Sequence, residues 1–198
     1  GNDDNLKRVL DYLDAEKLTE NTIVIYTSDQ GYWLGQHGFY DKRLILETSM
    51  RMPFLIRYPK MIKPGTVNND LCSNVDIAPT LLELAGAKTP TAMQGRSMAA
   101  LLKGQTPADW RQSQFYTYWG SPNHYGIRTD RFTYAKVAGS PAELFDRKTD
   151  PDQVHNVAGN SEHRKTIVQL EAELNKRIKE VDIPQNMLPG NRGKKGSR

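Results

Sequence analysis

The chain has 198 residues, a formal charge of +4 and 37% hydrophobic residues. That length can bury one sizeable core, or a core with a small appendage, and no apolar run approaches the ~20 residues of a membrane span. The surplus charge lies largely in the tail, where Arg192, Lys194, Lys195 and Arg198 sit among Gly and Ser. A solvated, disordered basic terminus over 185–198 is expected there, with neither nucleic acid nor membrane as a partner.

In chain order, Leu6, Val9, Leu10 and Leu13 make a one-sided apolar stripe, which predicts a helix over 3–16 capped by Asn2 or Asp3. The β-branched and aromatic run at 22–27 predicts a central strand of a parallel sheet whose neighbours lie outside this chain. The strand breaks at Ser28-Asp29-Gln30-Gly31, the carboxyl end of a strand, where α/β sheets carry their chemistry. Asp29 and Gln30 are adjacent oxygen donors suited to Ca²⁺ or Mg²⁺. Taken alone, these two residues read more simply as a turn cap at Asp29 and a solvated amide at Gln30. His37 and Lys42 follow in a loop rich in glycine (Gly31, Gly35, Gly38), from which both can offer positive charge to an anion.

Taken together, SDQGYWLGQHG followed by DKRLILETSMRMPFLIRYP resembles a conserved block of the formylglycine-dependent sulfatases, within the alkaline-phosphatase superfamily. The resemblance implies that Asp29 and Gln30 ligate the divalent cation. It also implies that Lys42, thirteen positions beyond Asp29, contacts the sulfate. His37 matches the histidine of the family's LGEHG-type loop, with Gln36 in place of the usual Glu, and is either a pocket residue or a structural one. Glu47, Arg51 and Pro53 match positions read here as helix and packing residues.

A short helix over 44–50 and a second strand over 53–58 come next. Cys72, the single cysteine, lies in an apolar stretch and is expected to be a buried thiol. It is not the sulfatase nucleophile, because Cys72-Ser73-Asn74-Val75-Asp76 lacks the Pro or Ala and the Arg of the family's Cys/Ser-x-Pro/Ala-x-Arg motif. Asp76 is expected to cap a helix that ends at Gly86, and a short helix is expected over 98–102.

After 110 the pattern changes to short alternating strands near 115–119, 125–128, 132–137 and 142–145, an antiparallel sheet. HYGIRTDRFTY with AELFDRKTDPDQVHNVA resembles the sulfatase C-terminal subdomain. His124 is either a substrate contact, hydrogen-bonding a sugar, or a surface imidazole; Trp119 is expected in the core; His155 and His163 are expected in solvent. A final helix, capped by Asn160 or Ser161, carries Ile167, Leu170, Leu174, Ile178 and Val181 on one face.

The expected fold is therefore α/β, the C-terminal portion of an alkaline-phosphatase-like sulfatase fold: a partial mixed sheet with flanking helices over 1–110, then a small antiparallel sheet with a C-terminal helix over 111–184. The resemblance implies a carbohydrate sulfatase using Ca²⁺ or Mg²⁺ and a formylglycine upstream of this chain, closest to enzymes acting on N-acetylglucosamine 6-sulfates of glycosaminoglycans. The chain begins without an initiator Met and is expected to be a C-terminal fragment, inactive alone. Its expected partners are a sulfated carbohydrate, the missing N-terminal part of the enzyme and a second copy through an exposed sheet edge. A periplasmic, secreted or lysosomal location is implied. A phosphodiesterase or phosphonate hydrolase of the same superfamily, and a non-catalytic module, are the alternative readings.

Overall fold

In the computed structural model, residues 1–121, 123–184 and 188 are described. The elements in chain order are α1 (Asn2–Ala15), β1 (Val24–Thr27), α2 (Glu47–Met50), β2 (Phe54–Arg57), α3 (Ile77–Leu84), α4 (Ala99–Leu102), β3 (Ser113–Tyr118), β4 (His124–Thr129), β5 (Phe132–Val137), β6 (Glu143–Asp146) and α5 (Arg164–Glu180). They form two compact units, one of 1–29 with 52–110 and one of 30–51 with 111–198. Segment 30–51, which the sequence places with the first domain, thus belongs with the second. Among the described residues no helix is long and apolar enough to cross a membrane.

In the first unit, Asp3 and Asp4 place negative charge in the first turn of α1, where it complements the helix dipole, and Asn2 lies inside the helix rather than capping it. Lys17 takes a left-handed backbone (φ 58) and the Leu18 amide reaches back to the Leu13 carbonyl at 2.8 Å, which ends the helix without glycine. No residue of α1 is buried, so its apolar stripe is only partly covered. β1 pairs antiparallel with β2, Tyr26 opposite Leu55, and both of these side chains are exposed. That pairing is the one described for β1; parallel neighbours were expected beside it.

The core of this unit joins Met98, Leu101 and Trp110 with Phe54 and Ile77. Asp76 is 0% exposed and stands at the N-cap position of α3, as expected, but its side chain makes no capping bond to that helix. Its carboxylate accepts the amides of Ser73 and Arg96, both at 2.8 Å, tying two distant loops together. Cys72 is exposed, against expectation, because the stretch around it forms no strand that could bury it.

In the second unit β3, β4, β5 and β6 form an antiparallel meander in sequence order. Ile127, Tyr134 and Leu144 of the sheet pack against Leu170, Leu174 and Ile178, the apolar face of α5. Asn160 accepts from the Glu162 amide at 3.2 Å and caps the 3-10 turn Ser161–His163 that leads into α5, whose own N-cap position is His163. Gly126 is required in β4, since a Cβ there would stand 2.2 Å from the Tyr134 carbonyl oxygen. Trp119 falls beyond β3 and is 40% exposed rather than buried. His163 packs edge-on against Phe132 at 6.2 Å instead of lying free in solvent, whereas His155 is exposed. The tail at 185–198 lies outside the described residues except Leu188, which is buried (1%) in the same core.

Candidate active site

Asp29 is exposed at the end of the first unit's opening segment, two residues after β1, and Gln30 opens the second unit, half-buried. Gly31 follows because nothing larger fits: a Cβ would meet the Thr48 carbonyl oxygen at 2.0 Å, and the Gly31 amide donates to the Ser49 carbonyl at 2.8 Å. The next residues close a tight loop. The Trp33 amide donates to Asp41 at 2.7 Å and the Gly35 amide to Phe39 at 2.9 Å, with Gly35 (φ 110) and Gly38 (φ 74) in conformations that favour glycine.

Three side chains pin this loop. Trp33, 1% exposed, donates its indole Nε1–H to the buried Ser49 hydroxyl at 2.5 Å and packs with Leu46 and Phe145. His37, itself left-handed (φ 54), stands edge-on to Trp33 at 4.9 Å, and its Nε2 lies 2.8 Å from the Asp152 carbonyl oxygen. Gln36, the departure from the sulfatase pattern, accepts the Leu34 amide at 2.7 Å. His37 is thus held by the Trp33 ring and the Asp152 carbonyl. Lys42 is exposed just past the loop; the neighbouring Asp41 carboxylate pairs with Arg43 at 3.1 Å and accepts the Lys42 amide at 2.7 Å.

The helix expected over 44–50 shortens to α2 because Ile45 and Leu46 are buried outside it, with Leu46 in extended backbone just before the helix. At its start Glu47 is not merely a packing residue. Its carboxylate receives two bonds from Arg128 of β4, at 2.7 and 3.2 Å, and Arg147 stands 3.7 Å away. The Glu47 amide donates at 2.6 Å to Gln153, which is 2% exposed and itself donates to Thr133 of β5 at 3.0 Å. Arg147 also donates to the carbonyls of Thr129 and Asp130.

Burial works against the Glu47 charge, but Arg128, Arg147 and Arg51 outweigh it and hold the carboxyl below its ordinary value of 4.5. Burial also pushes the nearby Tyr116 phenol up to about 12, so it is a neutral hydroxyl at any physiological pH. A carboxylate whose folded value is lowered stabilises the fold above its unfolded value, and the contribution is lost as pH falls through the folded one. Acid unfolding followed by near-UV circular dichroism is thus expected to show stability falling below about pH 4.5. Glu47→Gln should flatten that slope; an unchanged slope would show that the pair has no such linkage.

Arg128, Arg147, Tyr116 and Gln153 were not singled out from the sequence. A signal existed: Glu47 follows three apolar residues, and a charge bordered by buried positions needs a partner. Which partner, 81 residues away, is not a local property. His124 is 3% exposed, paired opposite Val137 with its ring 5.4 Å from Tyr118, so the surface-imidazole reading is incorrect. The β4–β5 pairing turns the ring inward. Among the described residues, no group of three or more His, Cys, Asp or Glu is placed to hold a metal ion.

A family model described as N-sulphoglucosamine sulphohydrolase, C-terminal, matches residues 35–180. The chain is 42% identical over 193 residues to an N-acetylglucosamine-6-O-sulfatase of Bacteroides thetaiotaomicron, across 91% of this chain and 35% of that protein. A solved structure of a protein in complex with its substrate D-glucosamine-2-N,6-O-disulfate superposes with a TM-score of 0.90 at 38% identity, over 96% of this chain and 40% of the other. A phosphonate monoester hydrolase from Silicibacter pomeroyi superposes with a TM-score of 0.81 at 26% identity, again over 96% and 40%. The chain thus spans well under half the length of these relatives.

Proposed function

The chain belongs to the family of sulfatase C-terminal regions whose model matches residues 35–180, and on that premise we propose that it is the C-terminal part of an enzyme hydrolysing sulfate esters of carbohydrates. The observation that carries the reading is the ordered motif Asp29-Gln30-Gly31 with Lys42, in a chain 42% identical to a sulfatase of that class. A 6-O-sulfated glucosamine unit of a glycosaminoglycan is the proposed substrate. The nucleophile, a formylglycine, would come from upstream sequence.

Asp29 and Gln30 supply one carboxylate and one amide oxygen, the donor type that Ca²⁺ or Mg²⁺ takes, but a shell of about six to eight oxygens needs further ligands from the complete protein or water. The donor chemistry fits and the set is partial. A bound cation would draw charge from the sulfate oxygens. Lys42 would hold its ammonium against the sulfate, balancing charge that builds as the S–O bond breaks. His37 and His124 enter as wall and anchor residues, given the contacts that occupy them. The exposed Tyr26 and Leu55 and the stripe of α1 would rest on the remainder of the enzyme, or on a second copy. Relatives of this kind suggest a periplasmic, secreted or lysosomal setting.

The likeness to a phosphonate monoester hydrolase favours one alternative, catalysis on phosphorus. Both are tested by assaying the complete protein on 6-O-sulfated glucosamine and on a phosphonate monoester. Sulfate release is expected to dominate, to stop on chelation and to return with Ca²⁺. Faster turnover of the phosphonate, or activity indifferent to chelation, would overturn the reading.

A further inference from the structure

Segment 30–51 carries Gln30 and Lys42, and it belongs with the antiparallel sheet of the second unit. Its own hydrogen bonds close one tight loop and one four-residue helix, and join Gly31 and Trp33 to Ser49. Further ties come from elsewhere in the second unit. Arg128 on β4 grips the two oxygens of the Glu47 carboxylate with Nε and Nη2 along one edge of its guanidinium, and Gln153, after β6, takes the Glu47 amide while bonded to Thr133 on β5. Phe145 on β6 packs against Trp33 and Leu46, and the Asp152 carbonyl meets His37. These ties lie on both sides of Lys42 in the chain.

The geometry points to Arg128 as a positioning residue: by clamping Glu47 it sets where the 30–46 loop, and with it Lys42, is held. In this role it acts through Glu47. A fork of two parallel bonds fixes orientation as well as distance, which a single point charge does not. Displacement of a charge-stabilising group by about 1 Å costs up to roughly a hundredfold in rate. The role in turnover rests on the proposed function, whereas the clamp itself does not.

The test uses the complete protein with Arg128→Gln and Arg128→Lys, read by steady-state kinetics per folded molecule and by amide hydrogen exchange. Arg128→Gln is expected to lower kcat roughly ten- to hundredfold with KM changed less than about threefold, and Arg128→Lys to fall between it and the parent. The amides of Gly31, Trp33 and Gly35, whose bonds lie within segment 30–51, should exchange about tenfold faster in Arg128→Gln, while those of Ile127 and Tyr134 keep their protection. Unchanged loop exchange in both variants would overturn the clamp. Looser loop exchange with kcat within about threefold of the parent, in an enzyme inactivated by Lys42→Ala, would overturn its role in positioning. If Arg128→Gln does not fold, Arg128→Lys carries the test, and parental values in both readouts overturn the inference. Full turnover in Lys42→Ala would instead remove the functional reading and leave the exchange result standing.

Discussion

Lys42→Ala is expected to lower turnover of the complete enzyme by roughly two to three decades, or about 3–4 kcal/mol of transition-state stabilisation. The size follows from the kind of work proposed. An ammonium that meets charge developing on a sulfate ester acts more strongly in the transition state than in the ground state, so its loss falls on kcat. Little of it should appear as stability, because Lys42 is exposed and the adjacent Asp41 is paired with Arg43. Lys42→Arg keeps the charge but not the shape, and should retain part of the rate. Steady-state kinetics on a sulfated glucosamine checks this; turnover equal to the parent's would take Lys42 out of the chemistry.

Leu174→Ala is expected to destabilise the second unit by about 2–5 kcal/mol. Leu174 is 1% exposed at the centre of α5, enclosed by the cluster that includes Ile127, Tyr134, Leu144, Leu170 and Ile178. Removing its branched end loses buried apolar surface and leaves a cavity that a sheet and a helix cannot readily close. Against a total folding free energy of about 5–15 kcal/mol, that is a large share. Val168→Ala on the same helix is the control, because Val168 is 67% exposed and its truncation should cost less than about 0.5 kcal/mol. Chemical denaturation midpoints give the comparison, and near-equal midpoints would mean that α5 does not hold the sheet.

The elements that could be read from the chain are those whose signal is local. The stripe of α5 was legible because apolar residues recur at helical spacing, and Leu170, Leu174 and Ile178 are buried as that spacing requires. The strands of the meander were legible from alternation between turns, and their antiparallel order follows from short connections. In α1 the same periodicity predicted the helix correctly, but its stripe is only partly covered. Periodicity reports which face is apolar, not whether anything rests on it.

The site shows the same division. The residue types at Asp29, Gln30 and Lys42, and their order, were visible in the sequence because a motif is a pattern along the chain. The burial of His124, the exposure of Cys72 and the occupation of Asp76 by the amides of Ser73 and Arg96 were not. Each depends on which distant segment packs alongside, and a one-dimensional pattern carries no such information.

By itself, then, the sequence determined the helices, the strand meander and the chemical kinds of the proposed site residues, since backbone preference and side-chain periodicity act over a few neighbouring positions. Only the tertiary structure decided that segment 30–51 belongs with the C-terminal sheet, and that Glu47 is shared between Arg128 and Arg147. The physical reason is that a partly buried carboxylate must find its counter-charge wherever the fold brings one. Here that counter-charge is supplied by residues 81 and 100 positions further along the chain.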